Sequence, residues 1–562
     1  MSTAGAAPGG PGVSLRRADW RFLLPTPDAG AYRHLVLLGA PPGLAERLVD
    51  VGFAARVSRA IPAPGTADAL VILEGAHREL ARAARCLAPG GVLYCEVDRR
   101  RGPLRDSHPR HVRRVLQAAG LTQTGLYWVT PSFAAGKRYL PLDVPAALDW
   151  FFSTAYVGAT PVRRLIGAAA RLVAGRDSMR LSPLAPCYSV TAAAGADAGA
   201  RPSSVLGDPS LPPRLRRDGL RPFLLTSGQD DGSRVAMLPF APGGAAPLAV
   251  LKVSRMGEFN TNTEREQATL AEARERVGPA LRESIPEPLA LFRYGDLVVG
   301  AESCAPGHTL MASSARWRAP LREKLDDLRV AAGWLADFHR QAQLGRAPWD
   351  DEAVARWVER PLDAYARELG TTDGERRLFA LARDRARVLA DARVPLPEVW
   401  QHNDFGPWNV YRDGPRVTVI DWEFGAEREA DRRGPPLCDL LYFVTHWYEI
   451  VARLDRVAGR RRAVRELFVE RPASAAARAG AEAVAAYVAA LEVDARFVPV
   501  LLVTTWAQRA LDRVDRRRHA GEREPGDRAA NPYADYVGAL AGGAAELFAA
   551  GRSRGARTGG GE

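Results

Sequence analysis

Long apolar runs are missing from this chain. No stretch of about 18 or more apolar residues occurs in its 562 positions, so it offers no candidate membrane span. Its first residues, MSTAGAAPGGPGVSLRR, lack the charged-then-apolar layout of a secretory signal, and the expectation is a cytoplasmic protein. Cysteine is scarce and scattered: Cys86, Cys95, Cys187, Cys304 and Cys438 include no C-x-x-C pair. That argues against structural zinc and fits a reducing compartment. Lysine is scarcer still, with only Lys137, Lys252 and Lys324 among 77 basic residues. Internal repeats are absent too.

What is present is ordinary for a globular protein: 47% hydrophobic and 25% charged residues, over a length suited to about two to four domains. The net charge of +12 could suggest a nucleic-acid partner. Yet the arginines are spread along the chain among acids, with no helix-turn-helix, zinc-finger or RNA-recognition pattern. The expectation is no nucleic-acid partner.

Residues 1–30 are Gly/Ala/Pro-rich and are expected to be disordered, at least to about Trp20. Over 31–192, apolar runs (HLVLLG, ADALVIL, GGVLYCEV) alternate with amphipathic patterns (GLAERLVDV, AHRELARAARCL, RHVRRVLQAAG). That alternation predicts a parallel, doubly wound α/β sheet with helices on both faces. A further helical stretch at about 145–175 precedes a strand, CYSVTAA. Residues 193–215 lack periodicity and predict a linker. A strand-rich segment follows over 216–303, a helical region over 304–552, and a disordered tail over 553–562.

Chemistry concentrates in HNDFGPWNVYRDGPRVTVIDWE, residues 402–423. The pattern is H-x-D-x-x-x-x-N, then an apolar strand ending in I-D-W-E. Phosphoryl transfer from ATP gives each piece a task. A hydroxyl acceptor needs a carboxylate to orient it and take its proton, which suits Asp404. Magnesium, bridging phosphate oxygens, needs hard ligands, which suits Asn409 and Asp421. His402 fits an orienting role within the loop.

This segment resembles the aminoglycoside phosphotransferase and choline kinase group, whose fold is that of the protein kinases. The resemblance implies a bilobal α+β domain and places further residues. Lys252, in LAVLKVSR, would reach the α and β phosphates, with Glu266 on the next helix as partner and Glu264 as the alternative. The segment LLTSGQDDGSRVAMLPF would form two strands joined by a turn over the nucleotide, with Ser227 and Gly228 in that turn. LVVGAESCAPGHTL matches the family's E-x-x-x-x-G-x-x-L region through Glu302, Gly307 and Leu310. Backbone groups around Ala301 to Cys304 would meet adenine. His339 would pack at a helix end, and Asp439 would brace the catalytic loop. The helix DLLYFVTHWYEI carries Tyr442, Phe443, His446 and Trp447, as core packing or as a wall for the acceptor.

Residues 31–192 are similar to class I S-adenosylmethionine-dependent methyltransferases, through LVLLGAPPG, ADALVIL and LARAARCLAPGGVLYCEVD. The decisive positions depart from that pattern. Leu37 replaces the acid before the glycine turn, Pro41 replaces its central glycine between Gly39 and Gly43, and AARVSRAI ends without an acid. The expectation is a degenerate scaffold, with Glu96 and Asp98 as loop acids.

Together these features predict an ATP- and Mg²⁺-dependent phosphotransferase acting on a hydroxyl of a small molecule, such as a sugar, an amino alcohol or an aminoglycoside-like compound. Two alternatives stay open. One is a bifunctional methyltransferase and kinase using S-adenosylmethionine as well as ATP. The other is a non-catalytic pseudokinase that binds nucleotide or a partner.

Overall fold

Runs such as HLVLL and DALVI are apolar at nearly every position, which suits strands covered on both faces. They form β1 (Leu35–Leu38) and β3 (Ala67–Ile72), with β2 (Val57–Ser58) and β4 (Leu87–Asp98) beside them. The computed structural model describes residues 14–25, 30–101, 105–155, 185–195, 204–217, 219–226, 228, 231–316, 319–422, 433–454, 457–519 and 522–553. These fall into two compact units. One takes its residues from 1–156, 160–267 and 287–304, and the other from 268–286 and from 305 onward.

The first unit is built on one sheet of 12 strands. Its remaining members are β5 (Leu121–Thr130), β6 (Arg138–Pro141), β7 (Cys187–Ala194), β8 (Arg221–Leu225), β9 (Arg234–Phe240), β10 (Val250–Ser254), β11 (Pro288–Tyr294) and β12 (Leu297–Glu302). The order across the sheet is β11-β12-β10-β9-β8-β6-β5-β7-β4-β3-β1-β2. β1 pairs in parallel with β2 and β3, and β3 with β4. β7 runs antiparallel between β4 and β5. The parallel sheet expected for 31–192 is therefore mixed, because CYSVTAA returns against its neighbours and its apolar pattern carries no direction. Of the helical stretch at 145–175, Pro145–Trp150 and the turn Phe151–Ala155 are helical. The rest lies outside the described residues.

β5 and β6 carry no simple alternation, yet they join the two halves of the sheet. β6 pairs with β8 through Arg138↔Leu225 and Tyr139↔Leu224. Side chains alternate between the two faces, as strand geometry requires. Leu37 and Val71 share one core with Leu251, Val253 and Val299. Val36 and Ile72 share the other with Phe223 and Leu238.

Two expectations are corrected here. Disorder does not extend to Trp20: Leu15–Leu23 is a 3₁₀ segment whose Leu15, Trp20 and Phe22 are buried in the first core. Its apolar residues find partners far along the chain, which composition cannot reveal. The stretch 193–215 is not a free linker either, since Val205, Leu206, Leu211 and Leu215 are buried in the same core.

The second unit is mainly helical, with two three-stranded sheets. β13 (His308–Thr309) pairs with β16 (Val410–Asp413), which pairs with β17 (Arg416–Val419). β15 (Pro395–Trp400) lies between β14 (Gln343–Pro348) and β18 (Arg433–Gly434). Gly307 enters β13 at φ +78°, and a Cβ there would stand 2.0 Å from the Arg412 carbonyl oxygen. Only glycine fits so close an approach. No helix of the described residues is long and apolar enough to cross a membrane.

Candidate active site

Lys252 projects from β10, opposite Ala236 of β9 and Gly300 of β12. Its ammonium bonds the Glu266 carboxylate and stands 3.1 Å from that of Glu302. Glu266 lies on the helix Asn260–Glu275 and also takes Arg234 of β9. Glu266 rather than Glu264 is thus the partner. Two buried acids facing two cations make a balanced set, which lowers the cost of burying each charge. Gly228 sits against the start of β9, where a Cβ would come 2.1 Å from the Ser233 Cβ. Ser227 and Glu423 lie outside the described residues. Cys304 follows β12, and burial pushes its thiol up to about 12, helped by the Glu302 charge.

In the second unit the segment after β15 carries the other polar residues. Asp404 and Asn409 meet directly: the Asn409 amide nitrogen donates to the Asp404 carboxylate (2.8 Å) and to its carbonyl (2.9 Å). Ile420, at the end of β17, donates its N–H to the Asn409 carbonyl (2.9 Å), which brings Asp421 beside the loop. Burial, and then the Asp421 carboxylate, push Asp404 above the ordinary aspartate range, against His402, Arg509 and Trp408. His402 is fully used as a structural donor and acceptor. Its Nε2 meets the Ile420 carbonyl at 3.0 Å, and its Nδ1 accepts from the Asp404 N–H at 3.2 Å. Burial lowers its pKa, so the ring is the neutral Nε2–H tautomer.

Asp439, fully buried at the start of the helix Cys438–Ala452, accepts from the backbone N–H of His402 (2.7 Å) and of Asn403 (2.9 Å). Burial alone would raise its pKa, but His339, His402 and Arg509 hold it below the usual range. Asp439→Asn turns one acceptor into a donor facing a backbone N–H, and is expected to cost roughly 1–3 kcal/mol of stability near neutral pH. Because the folded pKa is depressed, the contribution is complete above the ordinary aspartate range and lost as pH falls through the depressed value. Melting curves of parent and variant should therefore converge on acidification. A gap that is constant with pH rules this out.

Asn409 and Asp421 offer one amide and one carboxylate oxygen. Among the described residues no group of three or more His, Cys, Asp or Glu side chains forms a metal cage. Two hard protein oxygens fit magnesium, which takes its other ligands from water and phosphate.

Beside Asp404 stands an aromatic group of which the sequence pattern reveals only Tyr442 and His446. The Trp408 indole nitrogen is 3.4 Å from the Asp404 carboxylate, and its ring centroid is 5.2 Å from His446 and 5.8 Å from Tyr442. Trp506, Tyr533 and Tyr536 continue the wall, and Arg509 lies 4.5 Å over the Tyr442 ring. Of the four residues noted on the helix, Tyr442 and His446 contact the Trp408 ring, and Tyr442 is buried in the same core as Phe443 and Trp447.

Residues 248–478 match the phosphotransferase enzyme family. This stretch is a phosphotransferase domain. It includes Lys252 and all of 402–421. Residues before 248 lie outside the match. Among solved structures, a glucosamine kinase in complex with glucosamine, ADP and inorganic phosphate is 18% identical, over 57% of this chain and 81% of that one, with a TM-score of 0.37. A choline/ethanolamine kinase family protein from Mesorhizobium loti is 16% identical, over 59% and 96%, with a TM-score of 0.24. No curated protein matches the chain.

Proposed function

We propose that this phosphotransferase domain transfers the γ-phosphoryl group of ATP to a hydroxyl of a small molecule. The observation that carries the reading is the Asp404–Asn409 contact with Asp421 beside it. Asp404 orients the acceptor hydroxyl and takes its proton, and its raised pKa makes it a better base than an exposed aspartate. Asn409 and Asp421 would hold magnesium, which when bound neutralises phosphate charge. Lys252, kept in place by Glu266 and Glu302, presents its ammonium to the phosphates. His402 and Asp439 hold the loop. Trp408, Tyr442 and His446 form the wall on which a hydroxylated acceptor lies, since ring faces pack well against the apolar face of a sugar or an amino alcohol.

The bifunctional reading is the weaker one, because β2 ends without an acid for a donor's ribose hydroxyls and Glu74, the acid after β3, is paired with Arg101. The test is a thermal-shift titration with MgATP and, separately, with S-adenosylmethionine, followed by ADP release across aminoglycosides, amino alcohols and sugars. Stabilisation by MgATP alone, with ADP release dependent on one acceptor class, is the expected result. Stabilisation by S-adenosylmethionine restores the bifunctional reading. MgATP binding without release for any acceptor favours the pseudokinase.

A further inference from the structure

Ligands of α/β sheets bind beyond the carboxyl ends of the strands where the strand order reverses. β1 is that point here, with β2 on one side and β3 on the other. A crevice of about 510 Å³ lies there, bordered by Gly39 and Pro41 after β1, Glu74 after β3 and Arg101 after β4. Its remaining wall includes Arg16 and Arg17 from the N-terminal 3₁₀ segment. S-adenosylmethionine does not fit this donor set. Glu96, like Asp98, is not a loop residue but a buried residue of β4, and its carboxylate is already saturated. It accepts from Arg17 (2.6 Å), from the Glu74 N–H (2.9 Å) and from the Tyr94 hydroxyl (3.2 Å). Trp20 stacks on Tyr94 with centroids 5.1 Å apart, closing the same region with the chain's own side chains.

The segment that walls this crevice also grips the strands of the nucleotide half. Asp19 and Arg255 form a bidentate ion pair at 2.9 and 2.8 Å, both fully buried. Arg255 directly follows β10, the strand that carries Lys252. Arg21 bonds the Arg255 carbonyl at 2.6 Å, and Arg255 in turn reaches the Ser233 carbonyl at the start of β9 at 3.3 Å. Asp231 accepts from the Ser14 hydroxyl (2.7 Å), the Leu15 N–H (2.8 Å) and Arg47 (2.7 Å). At the end of β8, the Gly136 carbonyl takes both Arg16 (2.8 Å) and the Thr226 hydroxyl (3.2 Å). The ends of β8 and β10 and the start of β9 are therefore all fastened to the N-terminal part.

We propose that Leu15–Leu23 is a brace that positions β9 and β10 for nucleotide binding at Lys252, with Asp231 as a positioning residue. The proposal rests on the kinase reading above. Charge-assisted hydrogen bonds to phosphate need separations of about 2.7–2.9 Å, so anchors at these strand ends act on affinity without touching the ligand. Breaking the buried Asp19–Arg255 pair would report mainly on folding. Asp231 is partly exposed and is the better probe.

The experiment is calorimetric titration of the full-length chain with MgATP, at a temperature where each variant is folded. Asp231→Ala is expected to raise Kd about tenfold. Asp231→Asn keeps the oxygen that serves Ser14 and Leu15, gives up only the partly exposed Arg47 pair, and is expected to stay near the parent, with melting temperatures of both variants little changed. Equal affinity in the parent and Asp231→Ala overturns the brace and leaves the kinase reading standing. Equal weakening in both variants with a matching loss of melting temperature makes Asp231 merely structural and also overturns its positioning role. A parent chain that does not bind MgATP, or a Lys252→Ala variant that binds it as well as the parent, overturns the kinase reading and the brace with it.

Discussion

Asp404→Asn is expected to bind MgATP about as tightly as the parent and to turn over about 10²–10⁴-fold more slowly, the usual contribution of a positioned general base. The substitution keeps the side chain's size and an oxygen for the Asn409 amide, so the loop holds its shape. It removes the basic site and one buried negative charge beside Asp421. A carboxylate that burial and a like charge both penalise is not there to support the fold. The melting temperature should therefore not fall. A structural aspartate would behave differently, losing stability and nucleotide affinity together. Weak background ATP hydrolysis is enough for the comparison, so it can be made before the acceptor is known. Intact stability with unchanged turnover would remove Asp404 from the reaction.

The second large effect is expected at Asp421, and the choice of variant matters. Asp421 sits at φ +68°, in the left-handed region that Asp and Asn tolerate and alanine does not. Asp421→Ala combines loss of a metal oxygen with roughly 1–2 kcal/mol of backbone strain. Asp421→Asn keeps the backbone preference and removes only the charge. It should lower MgATP-dependent turnover by at least about 10²-fold, since a metal ligand supplies several kcal/mol of charge stabilisation and each 1.36 kcal/mol is tenfold. Raising the Mg²⁺ concentration should recover part of the rate. Turnover within a few fold of the parent, with unaltered Mg²⁺ dependence, would show that Asp421 does not hold the metal.

His402, Asp404 and Asn409 were legible as a group because they share the loop between β15 and β16, and Asp421 because it follows the apolar run that forms β17. Lys252 stood out for a different reason: it is one of three lysines in a chain that uses arginine almost everywhere, and it lies on an apolar strand. Glu266 followed from helical spacing, one turn before Leu270. Trp506, Arg509, Tyr533 and Tyr536 were not legible. They reach the aromatic cluster beside Trp408 from helices about a hundred residues downstream, and only tertiary packing sets that placement. The Asp19–Arg255 pair spans 236 positions and lies partly in a stretch whose composition reads as disorder. Gly307 was visible as a motif residue, but the cause, its contact with Arg412, required the fold.

The β6–β8 pairing has a consequence for how this protein can be divided. A chain cut within 193–215 does not yield two modules. The downstream fragment would begin with β8 as a raw edge, its Leu224 and Leu225 ladder groups open to any passing strand, and with Arg255 charged and buried without Asp19. The upstream fragment would carry the complementary open edge on β6. Recombination at that boundary would thus produce two sticky halves in place of a portable kinase and a portable companion. Such a joint is inherited whole or lost whole.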